Sequence, residues 1–270
     1  MQEFVMTDAL INSVKSIAVE AGSAIMDVYH ADYDIQIKAD SSPVTDADKK
    51  ANTIIDNKLN QLTPDIPILS EEGSKTPYEE RKKWSKFWLV DPIDGTKEFI
   101  EGVPHFVVSI ALVKNEEPIV GVLYNPVTEE LFVAERGKGA FLNGDQIYCV
   151  SKVSVEEMVI LNSRSETRRG LWGPYKNVFK ELRPIGSVAY KLGLTAAGKA
   201  DIFASLRPKN EWDICAGHCI VSEAGGMLID LNGNPVKYNQ EKTLITPGLV
   251  AGHPAAVEKT MKTLTIDQNK

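Results

Sequence analysis

The chain has 270 residues, 43% hydrophobic and 25% charged, with a formal net charge of −7 and a pI near 5.3. That length holds one large domain or two smaller ones sharing an interface. An acidic chain without a long Lys/Arg run argues against binding a nucleic acid polymer through a basic face, so a small anionic substrate would need local positive charge, which bound metal ions can supply.

Met1-Gln2-Glu3-Phe4 carries no basic segment followed by an apolar core, so no signal peptide is expected. The longest apolar stretch, around Phe106 to Val113, is too short to cross a bilayer. The cysteines, Cys149, Cys215 and Cys219, are sparse and odd in number, which points to a reducing cytoplasm and away from a disulfide framework.

Thr7-Asp8 reads as a helix cap, and Leu10, Ile11, Val14, Ile17, Ala18, Ala21, Ile25 and Val28 then recur at helical spacing. Ser41-Ser42-Pro43-Val44-Thr45-Asp46 predicts a turn into a second helix, with Thr45 as N-cap, Asp48 at N3 and a buried stripe of Ala51, Ile54, Ile55 and Leu59. Ile66 to Ser70 reads as a short strand leading into Glu71-Glu72-Gly73, and Thr76 to Lys86 as an exposed loop or short helix. Leu89-Val90 deliver Asp91 to the end of a buried strand, which Pro92 is expected to stop because it lacks an N–H for the ladder. Asp94-Gly95 is a turn pair, and Thr96 opens the next segment.

Phe106–Val113, Ile119–Tyr124, Leu131–Glu135 and Gly139–Leu142 form a predicted antiparallel meander that closes a first half, residues 1–150. In the second half, 151–270, strands are expected at Val159–Asn162, Ile202–Ser205 and Met227–Asp230, and helices at Arg168–Leu182, Ser187–Ala197 and Asp213–Ala224. Alternation of helices and strands suggests a layered α/β half.

Glu71, Asp91, Asp94 and Asp213 all fall at strand ends or a helix start. Taken singly, each has a plain structural explanation: Asp91-Pro92-Ile93-Asp94-Gly95 a turn, Glu71-Glu72 a solvated loop, Asp213 a first-turn acid favoured by the helix dipole. Together they are carboxylates that repel one another unless a hard cation joins them, and an all-oxygen set favours Mg²⁺ over zinc. Gly193 to Lys199 has P-loop spacing, but Ala200 stands where Ser or Thr is needed and the run follows no strand. Cys215, His218 and Cys219 fit helix packing better than a metal site.

Glu71-Glu72, Asp91-Pro92-Ile93-Asp94-Gly95-Thr96, Trp212-Asp213 with Ala216-Gly217, and Glu223-Ala224-Gly225-Gly226 resemble, in order, the signatures of the inositol monophosphatase superfamily. Lys97-Glu98-Phe99, Leu69-Ser70-Glu71-Glu72 and Ser41-Ser42-Pro43-Val44-Thr45 resemble its 3'(2'),5'-bisphosphate nucleotidase (CysQ-like) branch. One departure is Ser205, where many nucleotidases carry Arg; Arg207 lies two residues on.

The resemblance implies a mixed α+β, α/β fold, an α-β-α-β-α sandwich of the sugar-phosphatase type. It implies two or three Mg²⁺ ions with Li⁺ inhibitory: Glu71, Asp91 and the Ile93 carbonyl on one ion, and Asp91, Asp94 and Asp213 on a second. Asp48, Thr96 and Glu71 would be catalytic, with Thr96 orienting the attacking water and Asp48 polarising Thr96. Gly95, Thr96, Ser187, Lys191 and Asp213 would meet the substrate, Lys191 taking a second phosphate. The implied activity is hydrolysis of 3'-phosphoadenosine 5'-phosphate to AMP, with inositol-1-phosphate as the alternative substrate and a catalytically dead nucleotide-binding relative as a third reading. The implied setting is cytoplasmic, with at most peripheral contact with the inner membrane face, no integral membrane segment, and a homodimer allowed.

Overall fold

The computed structural model describes residues 7–31, 35–37 and 43–268. Thr7 caps helix α1 (Asp8–Tyr29), its hydroxyl accepting the Leu10 N–H, and the predicted stripe from Leu10 to Val28 is buried apart from the half-buried Ile11. Strands β1 (Ile35–Ile37) and β2 (Pro43–Thr45) form a small antiparallel pair leading into helix α2 (Asp46–Leu62). Met1–Phe4, and Ser41 and Ser42 of the predicted turn, lie outside the described residues.

The next segment builds a seven-stranded sheet in simple sequence order: β3 (Ile68–Ser70), β4 (Lys86–Asp94), β5 (Val107–Lys114), β6 (Glu117–Asn125), β7 (Glu130–Glu135), β8 (Gly139–Leu142) and β9 (Asp145–Gln146). Only β3 and β4 pair in parallel, joined by a crossover containing the short helix α3 (Tyr78–Arg81). Helix α4 (Thr96–Ile100) follows β4. The later segment supplies β10 (Val159–Ser163), α5 (Arg164–Arg168), β11 (Glu181–Ile185), α6 (Val188–Ala196), β12 (Ile202–Ser205), β13 (Lys209–Asn210), α7 (Glu211–Glu223), β14 (Met227–Asp230), β15 (Leu244–Ile245), β16 (Leu249–Gly252) and α8 (Pro254–Gln268). Five of these strands form a second sheet, ordered β11-β10-β12-β16-β14.

Strand periodicity explains the layering. Along β4, Trp88 and Val90 join the cluster under α1 and α2, whereas Phe87 and Leu89 join the cluster around α6 and α7. Along β12, Phe203 faces that same central cluster, whereas Ile202 and Ala204 face the outer cluster with Ala256, Val257 and Leu264 of α8. Strands β4, β5, β6, β12 and β16 are buried on both faces and read as near-continuous apolar runs, whereas the edge strands β9 and β11 are not. The order is α1/α2, first sheet, α6/α7, second sheet, α8: the expected α-β-α-β-α sandwich. Among the described residues, no helix is long and apolar enough to cross a membrane.

Two sequence expectations are corrected. Pro92 does not stop β4; the strand continues to Asp94, with a register shift against β5 between Asp91 and Asp94. Pairing with β3 has already ended at Val90, so Pro92 sits at a bulge where the missing N–H costs little. The helix expected over Arg168–Leu182 is absent: α5 ends at Arg168, Gly173–Tyr175 is one 3₁₀ turn, and β11 begins at Glu181. Trp172, Tyr175 and Phe179 are buried at spacings of three and four that imitate a helix, but Gly170 at φ 76°, just ahead of Trp172, and Pro174 interrupt the helical backbone.

Candidate active site

Parallel pairing of β3 with β4 brings Glu71 beside Asp91, its N–H donating to the Val90 carbonyl at 3.0 Å. The bulge then turns the chain so that Asp91, Ile93 and Asp94 share one corner, where Asp91 Oδ1 accepts the Ile93 N–H at 3.0 Å. Asp213 arrives from α7. There it occupies N3, and Oδ2 accepts the Asn210 N–H at 2.9 Å. The capping explanation for Asp213 is therefore correct for one oxygen. It does not exhaust the residue, because Glu71, Asp91 and Asp213 each offer an oxygen within 4.8 Å of the others.

Asp91 is buried, and its carboxyl is pushed well above the usual carboxylate range by burial first and then by Glu71, Asp94 and Asp213. Asp213 shifts the same way, from burial followed by Asp94 and Glu71. Repulsion among close buried carboxylates is relieved by proton or cation uptake, and these are hard oxygen donors. The residues present thus fit a hard divalent cation. Asp94 is differently placed: Oδ2 accepts the Ser187 hydroxyl and the Ala189 N–H, both at 2.6 Å, and these bonds and Lys191 oppose the upward push of burial.

Thr96 Oγ1 lies 3.1 Å from Asp48 Oδ1 and 3.2 Å from the Ile93 carbonyl oxygen, and its single proton can go to either. Asp48 is held from behind at N3 of α2, its Oδ2 accepting the Thr45 N–H at 2.8 Å and the Thr45 hydroxyl at 2.6 Å. Burial raises its carboxyl pKa against those bonds. Gly95 stands at φ 107°, and a Cβ there would lie 2.6 Å from the His105 carbonyl oxygen, so both conformation and space demand glycine. The helix that follows it, α4, is only five residues long.

Ser187 is buried at the N-cap of α6. Lys191 is only 2% exposed and so is no solvated surface lysine; its ammonium donates to the carbonyls of Ile185 and Ser187. Burial lowers its pKa to about 8, against the pull of Asp94 and Glu98. Ser205 is buried too, donating to Glu166 Oε1 at 2.7 Å.

One supporting cluster had no sequence signal. Arg81, in the charged run Glu79-Glu80-Arg81-Lys82-Lys83, is buried and donates to Asn239 Oδ1 at 3.0 Å and to the carbonyls of Gln240 and Glu241 at 2.6 and 3.0 Å. Glu211 accepts the N–H groups of Asn239 and Gln240 at 2.7 and 2.8 Å, and burial raises its pKa to about 7. These bonds tie the β3–β4 crossover, which carries Glu71, to the start of α7, which carries Asp213. A groove of about 800 Å³ between α1 and the β7–β8 hairpin is lined by none of the site residues.

The inositol monophosphatase family model matches residues 6–268. The CysQ 3'(2'),5'-bisphosphate nucleotidase of Escherichia coli K12 is 37% identical over 249 residues, covering 88% of this chain and 98% of its own. An inositol-1-monophosphatase of Rhizobium meliloti is 34% identical over 236 residues, covering 85% of each. The crystal structure of the extragenic suppressor protein suhB from Bartonella henselae superposes with a TM-score of 0.84 at 30% identity, covering 95% of this chain and 98% of that one. Matching over nearly its whole length, the chain belongs to the inositol monophosphatase family of phosphatases.

Proposed function

We propose that the chain is a Mg²⁺-dependent phosphomonoesterase that removes the 3'-phosphate of 3'-phosphoadenosine 5'-phosphate, giving AMP and phosphate. The observation that carries the reading is the convergence of Glu71, Asp91 and Asp213 within 4.8 Å, with Asp91 and Asp213 pushed upward by burial and by neighbouring carboxylates. Glu71, Asp91, Asp213, the Ile93 carbonyl and the remaining oxygen of Asp94 would hold the cations. Divalent cations held there supply positive charge to the phosphoryl oxygens and lower the pKa of water.

The rest is done by the chain's own groups. Thr96, donating its proton to Asp48, turns its lone pairs outward to accept a hydrogen bond from the attacking water. Thr45 fixes the Asp48 carboxylate so that it receives that donation without reorienting. Close backbone approach at Gly95 lets main-chain N–H groups meet a phosphate oxygen. Ser187 and Ala189 hold Asp94, keeping one oxygen engaged and aiming the other. The setting is read as cytoplasmic, consistent with cysteines that are all unpaired.

Nucleotide over inositol phosphate is supported by the CysQ relatives at 32–37% identity and by Lys97-Glu98-Phe99. Ser205, buried on Glu166, and the R. meliloti relative favour the inositol alternative. Phosphate release from the two substrates side by side, with Mg²⁺, with chelator, and with added Li⁺, separates them. Preferred release from the nucleotide, lost with chelator and reduced by Li⁺, is expected. Preference for inositol-1-phosphate would overturn the substrate assignment, and release from neither would overturn the enzymatic one.

A further inference from the structure

Val107 of β5 pairs with Asp94 of β4, so the residues just before β5 run alongside the turn that follows Asp94. His105 is one of them, and its carbonyl oxygen is the atom a Cβ on Gly95 would strike at 2.6 Å. Its ring reaches the other way, to the turn before α6, where Nδ1 accepts the Gly186 N–H at 3.4 Å. Ser187, the next residue of that turn, donates to Asp94 Oδ2 at 2.6 Å. His105 therefore spans two turns that both adjoin Asp94, with its main chain against one and its side chain against the other.

The ring is held in place. It packs beside Tyr190, with centroids 6.1 Å apart, and Tyr190 is anchored by donating its hydroxyl to Glu130 Oε2 at 2.6 Å. Burial, then Arg164 and Lys191, lowers the His105 pKa below its ordinary value, so the imidazole is neutral near pH 7. A neutral imidazole carries one proton, and an accepting Nδ1 places it on Nε2. Among the described residues Nε2 has no partner, and the side chain is only half-buried. A spacer for Gly186 needs only the Nδ1 acceptor. The second nitrogen is a fixed donor on the rim of the corner, close enough to Arg164 and Lys191 to feel both, where cations draw the rest of an anionic substrate.

We propose that His105 is a substrate-contacting residue that reads the leaving group. With the phosphate on the carboxylate corner, its Nε2–H donates to an oxygen or nitrogen acceptor on the organic moiety that bears the phosphate, such as a nucleoside. The assignment rests on reading the corner as the phosphate site.

Wild type, His105→Gln and His105→Asn are compared as full chains with Mg²⁺. Gln carries its amide to about the position of Nε2 and can still donate there, whereas Asn reproduces only the Nδ1 acceptor. The readouts are kcat and KM for whichever of 3'-phosphoadenosine 5'-phosphate and inositol-1-phosphate the wild type prefers, and the inhibition constant of inorganic phosphate, which has no leaving group.

KM is expected to rise by about tenfold in His105→Asn with kcat little changed, because one hydrogen bond made in both ground and transition states is lost. In His105→Gln it should stay within about twofold of wild type, and phosphate inhibition should be unchanged in both variants. Wild-type KM in both variants, equal losses in both, or a smaller loss in Asn than in Gln would overturn the proposal. A phosphate inhibition constant that rises together with KM would overturn it too. Absence of turnover of both phosphoesters by the wild-type chain would instead remove the phosphatase reading itself.

Discussion

The Asp91–Thr96 corner and the Ile185–Lys191 turn meet at Asp94 but are electrostatic opposites. At the corner, burial and neighbouring carboxylates push Asp91 and Asp213 upward, and acid is crowded faster than the chain compensates it. At the turn, a buried cation is paired with two carbonyls, and Ser187 bonds both ways. Crowded acid at the corner is where uptake of a cation would relieve repulsion, whereas the lysine at the turn has its protons taken by main-chain carbonyls and its pKa lowered by burial. Removing a charge should therefore have opposite consequences for stability in the two places.

The largest expected effect tests the corner. Asp94→Asn should cut Mg²⁺-dependent turnover by about a thousandfold or more, because a cation in a phosphoryl site contributes several kcal/mol to the transition state. Near-normal turnover in that variant would break the comparison outright. Thr96→Ala should cost less, about a hundredfold in kcat with KM little changed, since it removes an orienting group and leaves the carboxylates in place. Steady-state kinetics at saturating Mg²⁺ distinguish the two.

Stability separates acid from scaffold next. Arg81→Ala leaves Asn239, two loop carbonyls and the neighbourhood of Glu211 without their cation, and should lower unfolding free energy by about 2–4 kcal/mol in urea melts. Asp91→Asn, by contrast, should raise the melting temperature of the metal-free chain, because it removes a carboxyl whose ionisation burial and its acidic neighbours disfavour.

The pH dependence sharpens the same contrast. Asp91, Asp213 and Glu211 all have raised folded-state pKa values, Glu211 at about 7. A raised value contributes stability that is present below the unfolded pKa and lost as pH rises through the folded one. The metal-free chain should thus melt higher at about pH 6.5 than at about pH 8, and Mg²⁺, which favours the ionised carboxylates, should cancel or reverse the difference. Lys191, lowered to about 8, and His218, lowered to about 4, oppose this trend at the upper and lower edges of that window. Fluorimetric melts with and without chelator check it.

What was legible in the residues was what short-range chemistry dictates. Thr7 and Thr45 announce their helices because a cap needs a hydroxyl within three residues of the N–H it accepts. The corner is legible because Asp91, Ile93, Asp94, Gly95 and Thr96 are contiguous. Pro92 misled because the sequence does not tell which edge of a strand is paired: pairing with β3 ends at Val90, two residues before Pro92, and the register against β5 shifts between Asp91 and Asp94. Trp172, Tyr175 and Phe179 misled because helical spacing and a glycine-broken loop can bury the same residues. Arg81 and Asn239 lie 158 residues apart, and no local pattern links them. The burial of Lys191 has no local signal, because it follows from α6 lying between two sheets, a property of the whole sandwich.

The central claim is that the carboxylate corner is completed by a hard divalent cation. Calorimetric titration of the chelator-treated chain with Mg²⁺ near pH 7, repeated in buffers of different ionisation enthalpy, tests it most directly. Saturable binding with net proton release is predicted, because the carboxyls of Asp91 and Asp213 stand above their ordinary range before the cation arrives. No saturable heat, or binding that survives Asp91→Asn undiminished, would contradict it.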